Sequence, residues 1–193
     1  MKKPGKITYN SPVILTFAGI SLVALILNYI TFGYTNKLLF SVYRSSFANP
    51  LMYVRLFTHV LGHADVSHYM GNMMLFLLLG PAIEEKYGSL NTLLIIAGTA
   101  FITGVLNCIL FPRTALLGAS GVVFCFIILS SMTSIKSGEI PLTLIIVAVL
   151  YVGQEVFNAI AKDDNVSQFG HIVGGACGCG MGYAFDKLKI KKK

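Results

Sequence analysis

Long apolar segments alternate with short charged or turn-forming segments along the whole chain. The first covers residues 13–32, about 20 residues, which is enough for an α-helix to cross a bilayer. It is also longer than the apolar part of a typical signal peptide, so we expect the mature protein to retain it. Similar segments follow at 69–83, 90–111, 116–135, 140–161 and 170–185. The pattern predicts an all-α membrane protein whose six helices form a single domain over residues 1–193.

Composition and charge support a lipid environment. Hydrophobic residues make up 55% of the chain and charged residues only 12%, which excludes an ordinary water-soluble domain. The net charge of +7 could indicate a nucleic-acid partner, but the basic residues cluster in the short tails 1–10 and 187–193, which flank apolar segments. We therefore expect contact with the bilayer and no nucleic-acid partner.

The distribution of basic residues predicts how the chain is oriented. With an even number of spans both ends lie on one side, and that side collects lysines at 2, 3, 6, 86, 136, 187, 189, 191, 192 and 193. The opposite side has basic residues only at 37, 44, 55, 113 and 162. The excess predicts cytoplasmic termini, and a bacterial plasma membrane suits a chain of this kind. The long connection over about 34–67 would then lie outside, partly in the membrane interface.

Three polar residues occur at matching depths in the second, fourth and sixth spans. His68, Ser120 and His171 each lie sixteen residues before a charged residue, at 84, 136 and 187 respectively. At ~1.5 Å per residue, each lies about 24 Å from the cytoplasmic end of its helix. Asn72 follows His68 by one turn on the same face. Because ionisable groups within spans are costly and usually functional, we expect these side chains to share one cavity.

Ser120 and His171 are a candidate nucleophile and general base. Gly118 and Gly121 flank the serine and allow close approach of backbone or substrate. If Ser120 begins its helix, the unpaired N–H groups of the first turn suit a developing oxyanion. A neutral imidazole is the commonest base for activating a serine hydroxyl. A small serine in helix packing and a buried structural histidine are the alternatives for each residue taken alone.

Glycines recur every fourth residue around His171, at 170, 174, 178 and 182. This spacing leaves one face of the helix without side chains, so another helix can approach at backbone distance. We expect that neighbour to be the Ser120 helix. The four cysteines, at 108, 125, 177 and 179, lack zinc-site spacing and are interpreted as small packing residues.

Three motifs in this order resemble those of the rhomboid family of intramembrane serine proteases. They are GxSG at 118–121, a sixth-helix His171 followed by Gly174, and HxxxxHxxxN at positions 63, 68 and 72. The resemblance extends over about residues 55–186. It implies a Ser120–His171 dyad, with the side chains of His68 and Asn72 and the Ser120 N–H stabilising the oxyanion.

The resemblance also implies substrates and supporting roles. The substrates would be single-pass transmembrane proteins that approach beside the fifth helix, and no cofactor or metal would be needed. His63 would support the external loop, whereas His59 has no assigned role. Phe124 stands where the family often has tyrosine, so it could stack beside His171 but contributes no hydroxyl. Independently of the resemblance, Gln154 and Glu155 are unusual for lipid-facing positions, so we expect them to line the water-filled cavity or its mouth, with placement at the membrane interface as the alternative.

Two other functions are compatible with parts of this sequence. A proteolytically inactive relative that binds client transmembrane helices would share the fold. A metal-binding or metal-transport protein could use His59, His63 and His68, although their spacing and the lack of a completing cysteine or second carboxylate disfavour a tetrahedral site. The sequence carries no signal for an oligomeric state.

Overall fold

The structure is a computed structural model that describes residues 8–135 and 165–190, with isolated positions at 142, 145, 146, 149, 150 and 153. Six α-helices are present in these ranges: α1 (Pro12–Ile30), α2 (Pro50–Thr58), α3 (Val66–Tyr87), α4 (Ser89–Leu110), α5 (Ser120–Ile135) and α6 (Asn165–Ile190). A π-helical turn (Asn36–Phe40) and a 3₁₀ turn (His59–Leu61) lie between α1 and α3. The predicted all-α class is confirmed for the described residues.

Three of the described helices, α1, α3 and α4, are long and apolar enough to cross a bilayer. They match the first three predicted spans, and α5 and α6 match the fourth and sixth. Most of the predicted fifth span, 140–161, lies outside the described residues, as do Gln154 and Glu155. The count of six spans, and their grouping into one domain, therefore stay predictions.

The fourth helix begins later than its apolar sequence predicts. Apolar residues start at Leu116, but α5 begins only at Ser120. Leu116 instead pairs with Val42 in an isolated antiparallel β-bridge, with both N–H···O distances at 2.9 Å. Gly118 then has φ +120, outside the helical range. The β-bridge at Leu116 and the backbone conformation of Gly118 thus prevent the helix from starting where the apolar segment starts.

The connection over 34–67 is more structured than the sequence predicted. Pro50 occupies the first turn of α2, where a missing N–H costs nothing, and the Asn49 side chain accepts a hydrogen bond from Leu51 N–H at 3.0 Å. The helix α2 leads directly into the 3₁₀ turn. The connection therefore contains helical structure over Asn36–Phe40, Pro50–Thr58 and His59–Leu61 before it reaches α3.

An aromatic stack joins three of the helices. The ring of Phe76 on α3 is fully buried, with Phe17 of α1 at 4.5 Å and Phe126 of α5 at 5.3 Å between ring centroids. Offset aromatic pairs contribute packing energy beyond their area, and packing drives helix association in lipid. The stack places α3 between α1 and α5.

A buried carboxylate fixes the opposite end of the bundle. Glu84 near the end of α3 accepts hydrogen bonds from the backbone N–H groups of Val13 and Ile14 at 3.1 Å, and from the Ser89 hydroxyl at 2.7 Å. A negative charge at the first turn of α1 also complements the helix dipole. This contact ties α1 to the turn between α3 and α4. We call the other end, where α3 and α5 begin and α4 ends, the site end.

Candidate active site

The candidate site is built around the first turn of α5. Ser120 is the first helical residue and is 9% exposed. The carbonyl of Ala119 accepts the first helical hydrogen bond, from Val123 N–H at 3.0 Å, while the Ala119 side chain offers no capping acceptor. The first N–H groups of a helix have no acceptor within it and carry the positive end of its dipole. The backbone around Ser120 is therefore suited to an anionic oxygen.

Glycine is required at position 118 for two independent reasons. Its φ of +120 is rarely adopted by residues with a side chain. A methyl group there would also lie 2.7 Å from Nε2 of His68. Glycine at position 118 therefore lets the segment before Ser120 pack directly against the His68 imidazole.

Glycines also bring α5 and α6 together at backbone distance. A methyl group on Gly174 would overlap the carbonyl oxygen of Gly121, and one on Gly178 would lie 2.7 Å from the carbonyl oxygen of Cys125. A methyl group on Gly121 would lie 3.3 Å from the Gly170 carbonyl oxygen. The glycine face of α6 therefore packs on α5, as the four-residue spacing predicted.

This close packing places His171 beside α5. The imidazole is buried at 7% exposure and stacks on the Phe124 ring, with 4.4 Å between centroids and 11° between planes. Phe124 lies one helical turn after Ser120 on α5. The near-parallel stack restricts the imidazole to the side of α5 on which that turn lies.

His68 lies in the first turn of α3, whose N-terminus is capped by Asp65. The Asp65 carboxylate accepts a hydrogen bond from His68 N–H at 2.8 Å. Nδ1 of His68 accepts a longer bond from Ala64 N–H, at 3.4 Å. Because an amide can only donate, this bond favours the tautomer with its proton on Nε2, the atom that faces Gly118. The imidazole can therefore present a donor to the α5 N-terminus.

Asn72 is buried one turn further along α3. Its amide nitrogen donates to the His68 carbonyl oxygen at 2.9 Å, and the residue is 2% exposed. This bond ties the Asn72 side chain to the turn that carries His68. The structure thus places both predicted oxyanion residues on adjacent turns of one helix.

Two residues without a role assigned from sequence hold the segment before Ser120 in place. The carbonyl of His59 accepts a hydrogen bond from Gly118 N–H at 3.0 Å. The His59 ring is 1% exposed, with Nδ1 3.1 Å from the Arg55 carbonyl oxygen and Nε2 3.3 Å from the Thr103 hydroxyl. The Thr103 methyl group also faces Gly121, where a Cβ would lie at 3.5 Å. No local sequence signal links these residues.

Burial keeps two histidines of the connecting turn neutral. Desolvation lowers the pKa of His59 to about 4, against the opposing effect of the hydrogen bond to Arg55 O. Desolvation, together with nearby His68, lowers the pKa of His63 to about 3. The His63 ring packs edge-on against His68 and Tyr69, with centroids 5.1 and 5.4 Å away, and its carbonyl accepts from the Asn36 amide at 2.9 Å. These contacts agree with a supporting role for His63 in the connection.

A comparison with known protein families finds a match that contains all the residues of this site. The model of the Rhomboid domain matches residues 50–187. That match covers more than half of the chain, from the start of α2 to near the end of α6.

The chain belongs to the rhomboid family.

Two relatives of the chain carry rhomboid names. Rhomboid-related protein 2 of Mus musculus is 28% identical over 158 residues, covering 71% of this chain and 51% of the mouse protein. YdcA of Bacillus subtilis (strain 168), whose name describes it as a candidate rhomboid protease, is 28% identical over 148 residues, covering 72% of this chain and 68% of that protein. The matched region thus spans about half the length of the mouse relative. With the apolar helices, rhomboid membership makes this an integral membrane protein.

Every predicted site residue falls within the matched rhomboid domain. The structure brings Gly118 against His68 of α3 and Gly121 against Gly174 of α6, and Ser120 lies between these two glycines in the chain. Within the described ranges, no three histidine, cysteine or carboxylate side chains converge as a metal site would require. The Nδ1 atoms of His59 and His63 instead lie 3.1 and 3.2 Å from the backbone carbonyl oxygens of Arg55 and Leu61.

Proposed function

We propose that this protein is an intramembrane serine endopeptidase that cleaves single-pass membrane proteins with a Ser120–His171 dyad. The observation that carries the proposal is the near-parallel stack of His171 on Phe124, one turn from Ser120. Glycine contacts hold the two helices close enough for that stack. A base restricted in this way beside a serine is the arrangement that nucleophilic catalysis needs.

The proposed reaction is acyl transfer. The Ser120 hydroxyl oxygen attacks a peptide carbonyl carbon while His171 takes the hydroxyl proton. The tetrahedral intermediate then collapses, the C–N bond breaks, and His171 gives its proton to the leaving amine. Water attacks the resulting ester with His171 again acting as base. The carboxyl product leaves and Ser120 is restored.

The negative charge on the oxygen of the tetrahedral intermediate would be stabilised at the start of α5. The Ser120 N–H lies in the first turn of that helix, and the favoured tautomer of His68 carries a donor on Nε2 beside Gly118. The Asn72 amide would be a third donor after reorienting from the His68 carbonyl. Removing one such donor typically costs about 3 to 4 kcal/mol of transition-state stabilisation in serine proteases.

The site would open to water on one side of the membrane. The excess of lysine at the other side supports cytoplasmic termini, an external site end and a bacterial plasma membrane as its location. A substrate helix would meet the dyad below the external surface. The resemblance to the family further implies that the cleaved bond lies near a small residue of the substrate.

The direct test is cleavage of a single-pass transmembrane substrate in liposomes by four purified proteins. Wild type and Ser131→Ala should cut, because the Ser131 hydroxyl only bonds to the Ile127 carbonyl within α5 at 2.9 Å. Ser120→Ala and His171→Ala should be inactive while melting at temperatures close to that of the wild type. Activity in either dyad variant contradicts the mechanism.

One outcome of this experiment would favour a different function. Suppose that none of the four proteins, wild type included, cuts any of a panel of substrates, and that the wild type still co-purifies with a transmembrane helix as a stable complex. The protein is then a client-binding rhomboid relative rather than a protease. Retention of both Ser120 and His171 is the observation that favours the protease.

A further inference from the structure

An apolar groove lies on the surface of the bundle away from the α5–α6 contact. It has a volume of about 520 Å³ and is formed between α2 and α4. Its walls are mainly apolar side chains of these two helices, and Arg44 is the one charged residue that lines it within the described part of the chain. The lining includes Met52, Leu56, Phe101, Ile109, Phe47 and Arg44. We call it the α2–α4 groove.

The groove runs from the bilayer boundary into the hydrocarbon. It extends along α4 from Phe101 to Ile109, which is about 12 Å at the rise of an α-helix. Ile109 is next to the last residue of this spanning helix, at the site end. One end of the groove therefore lies at the level of lipid headgroups and the other at the level of acyl chains.

The floor of the groove is fixed by a close helix contact. A methyl group on Gly104 would lie 3.2 Å from the carbonyl oxygen of Leu56, so the α2 backbone rests directly on α4 at this point. Exposed rings of Phe47, Tyr53 and Phe101 extend outward from the contact, at 69%, 51% and 44% exposure. The groove is a preformed space whose apolar walls face the membrane.

The headgroup end of the groove is positively charged. Arg44 is exposed there, and among the described residues no carboxylate lies within ion-pair distance of its guanidinium. Behind it, the buried Arg55 donates to the Tyr43 hydroxyl at 2.7 Å and to the Ser45 hydroxyl at 2.9 Å, again with no carboxylate partner in the described ranges. Arg55 also lies over the Tyr43 ring at 4.2 Å, so the exposed Arg44 is the group that can attract an anion, and guanidinium matches phosphate geometry.

We propose that the α2–α4 groove binds an anionic phospholipid, with one acyl chain between α2 and α4 and the headgroup phosphate on Arg44. Apolar walls at chain depth and an exposed arginine at headgroup depth match the apolar and charged parts of one lipid. One arginine near the surface contributes roughly a fivefold preference for an anionic over a zwitterionic lipid. The site is separate from Ser120 and does not rest on proteolysis.

The absence of tryptophan from the sequence allows a selective optical test. Phe47→Trp places the sole indole at the groove mouth. Tyr29→Trp places one on α1 at the same end of the bundle, where Tyr29 is 53% exposed to bulk lipid. Each variant is reconstituted in phosphatidylcholine with a minor fraction of phosphatidylglycerol, and one or the other lipid carries brominated chains that quench indole fluorescence.

The groove proposal predicts that brominated phosphatidylglycerol quenches Phe47→Trp about fivefold more per lipid than brominated phosphatidylcholine does. Tyr29→Trp should be quenched equally by both. In the Phe47→Trp background, Arg44→Gln should abolish the preference, whereas Arg113→Gln removes an exposed arginine that does not line the groove and should leave it unchanged.

Three results overturn the proposal. Equal quenching by both lipids at Phe47→Trp means that only bulk lipid fills the groove. A preference that Arg113→Gln and Arg44→Gln reduce equally means diffuse attraction to the membrane surface. Quenching at Phe47→Trp that is weaker than at Tyr29→Trp for both lipids means that a protein surface, such as a second copy of the chain, covers the groove.

Discussion

The two sides of the α5 start are held by opposite kinds of interaction. On the α6 side, Gly174 and Gly178 let bare backbone meet backbone, and shape alone sets the distance. On the side of the 3₁₀ turn, His59 and Thr103 hold the same segment through specific hydrogen bonds between buried polar groups. The first contact fails when volume is added, whereas the second fails when a hydrogen-bonding group is removed.

This difference suits the two tasks proposed for the site. The distance between nucleophile and base must be short, and glycine packing shortens it without any polar group in the membrane interior. The segment before Ser120 must instead keep one backbone conformation, with Gly118 at φ +120. The His59 carbonyl oxygen stabilises that conformation by accepting a hydrogen bond from Gly118 N–H. Mutations can test each side separately.

The largest effect is expected from adding volume to the α5–α6 contact. In Gly174→Ala the new methyl group would overlap the Gly121 carbonyl oxygen, so α6 must move away from Ser120. A displacement of ~1 Å at a catalytic pair can cost about 100-fold in rate. Measuring kcat for a transmembrane substrate should show a loss of at least that size, together with a lower melting temperature.

Gly180→Ala is the matched control for this change. Gly180 is on the same helix, but a methyl group there has nothing within 4 Å. Its activity should stay within about twofold of wild type, because alanine also favours the helix. Equal losses in the two variants would mean that the close α5–α6 contact is not what sets activity.

Acidification should weaken the hydrogen-bonded side. The pKa values of His59 and His63 are about 4 and about 3 in the folded protein, below the ordinary value of 6.5. Below pH 6.5 the unfolded state therefore binds more protons than the folded state, so the free energy of unfolding decreases as the pH falls. By pH 5 the loss is about 2 kcal/mol for each histidine. Reversible unfolding in mixed micelles between pH 7 and pH 5 measures it.

A His59→Phe variant separates this effect from general acid sensitivity. The variant starts less stable, but its stability should change less with pH because one buried imidazole is gone. The slope, rather than the starting value, is the relevant quantity. A wild-type stability that is flat from pH 7 to pH 5, or unchanged slopes in the variant, would contradict the neutral state of these histidines.

Removing a single hydroxyl should have a smaller effect on the same side. Thr103→Val keeps the shape that faces Gly121 but leaves Nε2 of buried His59 without its partner. An unsatisfied buried group costs about 1 to 3 kcal/mol. Chemical unfolding should show that loss, and Thr103→Ser should recover most of it. Full stability in Thr103→Val would show that the hydroxyl does not hold His59.

The smallest effect is expected at the ring that supports the base. Phe124→Leu removes the stack on His171, which is worth about 0.5 to 1.5 kcal/mol, so kcat should fall about three- to tenfold. Phe124→Tyr keeps the stack and should change kcat by less than about twofold. A Phe124→Leu enzyme with normal kcat would mean that the helix contact alone positions His171.

Periodic features of the molecule could be predicted from sequence, and long-range ones could not. The predicted spans at 13–32 and 90–111 differ from α1 and α4 by at most two residues at either end, and the glycine spacing on α6 indicated its contact with α5. The start of α5 was misplaced because Leu116 is apolar in sequence yet pairs with Val42 in space.

His59 shows most clearly why part of the site was missed. Its functional atom is a backbone carbonyl that meets Gly118, 59 residues later in the chain, so its side-chain type gave no signal. The same holds for Asn107, whose buried amide donates to the carbonyl oxygens of Val42 and Thr114 and so holds the β-bridge before Ser120. Such contacts depend on the folded path of the chain.

The central claim is that His171 activates Ser120, and a serine-reactive fluorophosphonate tests it without a chosen substrate. In this reaction the serine oxygen attacks phosphorus and fluoride leaves, so the label records an activated hydroxyl. Mass spectrometry should find the adduct on Ser120 of the wild type, and a folded His171→Ala variant should remain unlabelled. Labelling of Ser120 at the same rate in both proteins, or an adduct only at another serine, would contradict the account.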